Sequence, residues 1–319
     1  MVPGAGAKVP GPGAKGRRMK RILTLAGIVA LGTTIAAYQA PAQQPAPVIG
    51  TAAQLEVVKL KDNFYVITSS SPTPRETFSG GNVSIVIGDT GVTLVDTKLA
   101  NWGQALLDKL KTITPKPVTT IINTHTHGDH TGNDDKFGKV EIIAHENTKA
   151  NMAKMPAFAG DKAQYLPSKT FSDKLTVGKG ATQIELHYFG KAHTSGDAVL
   201  IFPALRIAQM GDMFAWKDAP RCDTANGGSC VEYPKTLAGA ITVLKNIDTV
   251  IPGHSPMMKV SDVQEYQRFL ADLVSSAQAS KKAGKSVDDA TAAFSVAKYP
   301  GYKNENVKAA IQVIYDESK

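Results

Sequence analysis

Asn123-Thr124-His125-Thr126-His127-Gly128-Asp129-His130-Thr131-Gly132 sets three imidazoles and a carboxylate within six residues. The stretch follows Val118 to Asn123, a β-branched run suited to a buried strand. In an extended chain His125 and His127 point the same way, so both can reach one ion. Once the chain turns at Gly128, Asp129 and His130 can face a second ion nearby. Neutral imidazole and carboxylate are the donors a hydrolytic zinc uses, with a position left open for water. A strand end that merely needs its polar groups satisfied does not call for four such donors.

Working outward, Leu55 to Leu60, Phe64 to Ile67, Val83 to Ile87 and Val92 to Asp96 read as short strands, the last two joined by a Gly-Asp-Thr-Gly turn. Trp102 to Lys111 carries Ala105, Leu106 and Leu110 on one helical face, and Pro115 and Pro117 stop it. Ile142 to Ala144 is a further strand. The second half repeats the order, with strands at Ile184 to Phe189, Val199 to Phe202, Ile207 to Met210 and Thr249 to Ile251. Helices are expected over Thr236 to Asn246, Val263 to Lys281 and Asn306 to Tyr315. Strands followed by a helix, twice over, predict an α/β fold of two packed sheets with helices outside. Three more donors fall where strands give way to loops. His193 lies in Gly190-Lys-Ala-His-Thr-Ser-Gly-Asp, Asp212 follows Ile207 to Met210, and His254 follows Thr249 to Ile251.

This set resembles the metallo-β-lactamase superfamily, from about residue 55 to 275. The His-x-His-x-Asp-His hallmark stands at residues 125 to 130. The family's later histidine matches His193, its Gly-Asp matches Asp212, and its Pro-Gly-His matches Pro252 to His254. Asp96 matches an aspartate that braces the metal loop. The resemblance implies an αββα sandwich with metals at one edge. It implies that His125, His127 and His193 hold one zinc, that Asp129, His130 and His254 hold another, and that Asp212 bridges them. It further implies a hydrolase in which a metal-bridged hydroxide, oriented by Asp129, attacks the carbonyl of a lactam, lactone, ester or amide.

The stretch His193-Thr-x-Gly-Asp-x-Val-x-x-Phe-Pro is close to the zinc β-lactamases that use a cysteine ligand, but three positions depart from them. Asp212 stands for the cysteine, Ala215 for a lysine that grips the drug's carboxylate, and His130 for an arginine. Similarity to glyoxalase II is confined to the metal ligands. An alternative of another class is a persulfide dioxygenase with a single iron on His125, His193 and Asp212; a third is a binding protein with a degenerate site.

The charge of +8 is concentrated at the front. Residues 1 to 42 hold six of the 36 Lys and Arg and no acid, leaving 30 against 28 acidic residues in the rest. A nearly neutral body predicts no nucleic-acid partner and leaves a small-molecule substrate. Those 42 residues read as a signal peptide, with Met19-Lys-Arg, an apolar run from Ile22 to Tyr38, and Ala40-Pro41-Ala42 for cleavage. Met19 is the better start. The run is shorter than the ~20 residues of a membrane span, so the expected product is periplasmic or secreted, with no membrane contact after cleavage. A linker, residues 43 to 54, leads into one domain, 55 to 319. In an oxidising compartment Cys222 and Cys230 predict a loop disulfide. Arg75 and Phe78, between two strands, are candidate substrate contacts, with a plain hairpin loop as the alternative. His145 and His187 read as structural or surface residues, and Trp216 as a core residue with an apolar wall of the site as the alternative. Asn151 to Ser172 reads as a long connection.

Overall fold

Phe64 and Val66 point one way from their strand while Tyr65 and Ile67 point the other, and the two sets enter different cores. The same alternation recurs at Leu94 against Val95 and at Ile121 against Ile122. A sheet with both faces apolar must be covered on both sides, which is why these strands form an inner layer. The computed structural model describes residues 50–69 and 77–318, which fall in one compact unit. The signal-peptide reading, most of the linker and Arg75 lie outside the described residues.

The first sheet orders seven strands in sequence: β1 (Val57–Lys61), β2 (Phe64–Ile67), β3 (Val83–Ile87), β4 (Val92–Val95), β5 (Val118–Ile122), β6 (Glu141–His145) and β7 (Lys169–Phe171). β1 to β4 pair antiparallel; β4 to β7 pair parallel. The switch is made by helix α1 (Gly103–Ile113), which carries the chain from β4 back to start β5 alongside it. Its Ala105, Leu106 and Leu110 bury against the outer face of this sheet with Trp102.

Two short helices follow β5 and β6, α2 (Gly128–Thr131) and α3 (Glu146–Met152). The second sheet runs β12-β11-β10-β9-β8, built from β8 (Lys174–Val177), β9 (Ile184–His187), β10 (Val199–Phe202), β11 (Ile207–Gly211) and β12 (Thr249–Pro252). Only β11 and β12 are parallel. Between the sheets Phe64, Val95, Ile122 and Ile143 meet Leu186, Leu200, Phe202 and Ile251. Outside the second sheet lie α4 (Tyr233–Ile241), α5 (Val260–Lys282), α6 (Val287–Ala293) and α7 (Val307–Glu317), packed through Leu237, Phe269, Leu273 and Ile311. The fold is α/β, an αββα sandwich.

Several elements differ from the sequence reading. α4 begins at Tyr233 rather than Thr236, because Pro234 in its first turn needs no hydrogen-bond partner there. The connection Asn151 to Ser172 holds the edge strand β7, and α3, α6 and β8 had no strong pattern. Among the described residues no helix is long and apolar enough to cross a membrane.

Candidate metal centre

β4 and β5 are parallel neighbours in one sheet, and β11 and β12 in the other, so four strands end at one edge. Asp96 follows β4, His125 and His127 follow β5, Asp212 follows β11, and His254 follows β12. His193 comes from the connection between β9 and β10. After His127 the chain winds into α2, the His130 and Thr131 amides both bonding back to the His127 carbonyl at 3.0 Å. That single turn carries Asp129 and His130 away from the first pair.

Two clusters result. His125, His127, His193 and Asp212 each bring a donor atom within 4.8 Å of the others, and so do Asp129, His130 and His254. In the first, His193 Nε2 lies 2.8 Å from His127 Nδ1. In the second, His254 Nε2 lies 3.2 Å from both His130 Nε2 and Asp129 Oδ2. Asp212 stands between them. Its Oδ2 is 3.6 Å from His193 Nε2, and its Oδ1 is 3.3 Å from the Nε2 atoms of His130 and His254. Every ligand that the sequence singled out is therefore in one place.

The outward nitrogen of each ring is tethered. Asp96, wholly buried, accepts from the Thr124 amide, the Thr124 hydroxyl and His130 Nδ1, all at 2.8 Å. Thr124 Oγ1 in turn lies 3.0 Å from His125 Nδ1. His127 Nε2 meets Asp223 Oδ2 at 2.7 Å, His193 Nδ1 meets the Arg221 carbonyl, and His254 Nδ1 meets Ser69 Oγ at 3.2 Å. Such tethers fix which nitrogen carries the proton and leave the other lone pair free for an ion.

The donors fit a metal. His125 Nε2 and Asp212 Oδ1 are buried polar atoms without a hydrogen bond of sound geometry, although two imidazoles lie close to the latter. Burial holds His125 well below its ordinary pKa and His193 down to about 4, so both rings are neutral. Burial works to raise Asp212 and Asp129, but His254 and His130 around the first, and His130 and His254 around the second, outweigh it and keep both ionised. Burial works to lower His130 and His254, but Asp212 and Asp129 outweigh it and hold both rings above their ordinary pKa. An ion entering the second cluster would therefore displace protons from its imidazoles, whereas the first cluster already offers neutral ones. Backbone closes in as well: a Cβ on Gly253 would fall 1.9 Å from Asp212 Oδ1, so only glycine fits there.

Phe78 is half-buried with its ring 5.5 Å from that of His254. Trp216 is also half-buried, 5.4 Å from His254, and not in the core as its type suggested. It lines a cavity of about 620 Å³ with His254, Ser69, Arg221, Lys303 and Asn306. His145 and His187 keep to structural partners, Ser172 and Glu185. Cys222 and Cys230 are joined by a disulfide. Sequence reasoning missed Asp223, Thr124, Ser69 and the wholly buried Lys98. The last donates to the Thr68 carbonyl at 2.6 Å and lies 3.3 Å from Ser79 Oγ, and burial pulls its pKa down to about 7. Asp223 alone left a signal, its place beside a cysteine in a loop bordering the site.

Residues 77–254 match the sequence profile of the metallo-beta-lactamase superfamily, and the chain belongs to that family. A metallo-beta-lactamase type 2 of Elizabethkingia meningoseptica is 24% identical over 237 residues, 72% of this chain and 89% of that protein. The alpha subunit of 2,4-dinitroanisole O-demethylase from Nocardioides sp. (strain JS1661) is 36% identical over 133 residues, 39% of this chain and 38% of its own length. The solved metallo-beta-lactamase of Pontibacter korlensis superposes with a TM-score of 0.58 at 24% identity, covering 68% of this chain and 99% of that one. The fold is shared with that enzyme, and the two His/Asp clusters are consistent with a metal-binding site like that of the β-lactamases.

Proposed function

We propose that this chain is a dinuclear zinc hydrolase acting on a carbonyl of a small-molecule lactam, lactone, ester or amide in the periplasm or outside the cell. The observation that carries the reading is Asp212, whose two oxygens face two clusters at once. His125, His127 and His193 would hold one ion, Asp129, His130 and His254 the other, and Asp212 both. Bound zinc supplies an acidified water and a Lewis acid for the carbonyl oxygen. Asp129 is ionised and only partly enclosed, so it can accept a proton from that water and hold it in line for attack. Phe78 and Trp216, each with its ring against that of His254, would form apolar walls that exclude bulk water from the leaving group. Asp212 in place of a cysteine, Ala215 in place of a lysine and His130 in place of an arginine favour substrates other than β-lactams.

The test is metal content by plasma mass spectrometry on protein purified without chelators or metal-binding tags, followed by turnover of nitrocefin, lactones and nitrophenyl esters. About two zinc ions per chain and hydrolysis abolished by Asp129→Asn are expected. Roughly one iron per chain, with oxidation of a persulfide, overturns the reading in favour of a dioxygenase.

A further inference from the structure

The loop from Arg221 to Ser229 touches two imidazoles of the first cluster. Asp223 Oδ2 lies 2.7 Å from His127 Nε2, and the Arg221 carbonyl accepts from His193 Nδ1. Both contacts leave the inward nitrogens, His127 Nδ1 and His193 Nε2, facing each other at 2.8 Å. The loop is also laced to the His193 backbone. The Asp223 amide donates to the His193 carbonyl at 2.8 Å, the Ser229 amide to Ala192 at 2.9 Å, and the Ser195 amide to Asn226 at 3.0 Å. A Cβ on Gly228 would come 2.2 Å from the His193 carbonyl, so the loop lies directly against the β9–β10 connection.

The two ends of the loop are held differently. At Cys230 the cysteine is buried, and the carboxylate of Glu317 from α7 accepts from the Ser229 hydroxyl and from the Cys230 and Val231 amides at 2.7 to 3.1 Å. At the other end Arg221 is exposed, its guanidinium 3.4 Å from Asn306 Oδ1 and 5.8 Å from the Trp216 ring. The disulfide joins that end to the anchored one, one residue from Asp223. Asp223 is set further by Asn226, whose side chain donates to Oδ2 at 2.6 Å and whose amide donates to Oδ1 at 3.2 Å.

We propose that Asp223 is a positioning residue for the first metal cluster and that the Cys222–Cys230 disulfide holds it there, so that full metal affinity at His125, His127 and His193 requires the closed loop. The inference rests on the metal-centre reading. Its mechanism is tautomeric: a carboxylate on Nε2 keeps the His127 proton there and frees Nδ1 for the ion. With the loop released, the ring exchanges tautomers and the Arg221 carbonyl no longer holds His193. The second cluster is independent of this loop, its rings being tethered by Asp96 and Ser69.

Three variants test this: Asp223→Ala, Asp223→Asn and the double variant Cys222→Ser/Cys230→Ser. Zinc affinity is measured by competition with a chromophoric chelator, and histidine tautomers by nitrogen NMR on the metal-free protein. Asp223→Ala and the double variant are expected to lose roughly 10- to 100-fold in affinity at one site and keep the other. Asp223→Asn, which can still accept from Nε2, should recover part of the loss. Wild-type His127 should carry its proton on Nε2, and the double variant should show a mixture. Equal weakening of both sites would mark a general loss of structure and overturn the proposal, as would wild-type affinity in the double variant. If the wild type binds no zinc, the metal reading fails, while the tautomer comparison still decides whether the disulfide positions Asp223.

Discussion

Replacing Asp96 by asparagine changes one atom of the carboxylate and should disable one of the two proposed metal sites. The amide oxygen can keep the Thr124 amide bond, but the amide nitrogen then stands where Oδ2 now accepts from His130 Nδ1 at 2.8 Å. Two donors cannot share that line. His130 escapes by moving its proton to Nε2, which turns the inward nitrogen into a donor with no lone pair for an ion. Metal binding must reverse that shift and forgo a hydrogen bond to a charged acceptor, which costs about 1.5–3 kcal/mol. At 1.4 kcal/mol per tenfold, the affinity of the second site should fall roughly 10- to 150-fold. The first site, reached only through Thr124 and His125 Nδ1, should change far less. Calorimetric titration of stripped protein with zinc separates the two, and urea unfolding confirms that the variant folds. Two unchanged binding constants in folded Asp96→Asn would refute the reasoning.

Gly253→Ala should expel Asp212, since the new carbon would lie 1.9 Å from its Oδ1; we expect about 1–3 kcal/mol of lost stability and neither ion retained, read by urea melts and metal analysis. Lys98 gives a pH signature. Its folded pKa of about 7 lies below the ordinary 10.5, so between those values the unfolded chain binds a proton that the folded chain lacks, and stability rises with pH. From pH 7 to 9.5 the wild type should gain about 3 kcal/mol relative to Lys98→Met; parallel pH profiles in urea would contradict it. Chelation should lower the melting temperature in calorimetry. At free zinc 100-fold above Kd each ion contributes about 2.7 kcal/mol, so two should be worth roughly 10 °C or more; an unchanged midpoint would mean that the clusters bind no metal tightly.

Much of the site could be read in advance because its donors sit where local pattern is strongest. His125 to His130 leave a β-branched strand, and Asp212 and His254 end apolar runs, so each strand end was visible without knowing which strands are neighbours. The outer contacts were not. Asp223 meets His127 across 96 residues of sequence, and no local feature encodes that pairing. Lys98 is unreadable for a similar reason. Lysine is the residue least expected in an interior, and its burial follows from a left-handed backbone at φ 68° and from carbonyl and hydroxyl groups brought in by other segments. Trp216 could not be assigned by residue type, since a large aromatic ring suits a core and a binding wall equally. The strand β7 sits at a sheet edge with two of three residues exposed, which leaves no apolar alternation to find.

Each cluster draws donors from both sheets: the histidine loop after β5 on one side, and the connections of β9, β11 and β12 on the other. His130 and His254 are 124 positions apart. An ion held by both would therefore tie off a loop about two-fifths of the chain long, a closure worth about 4–5 kcal/mol in chain entropy for a permanent cross-link of that span. Unlike a covalent tie, this one can be released and remade. With ions bound, the sandwich would be fastened at one margin by a reversible clasp, and the rate at which its two leaves part there would be set by how fast the metal departs.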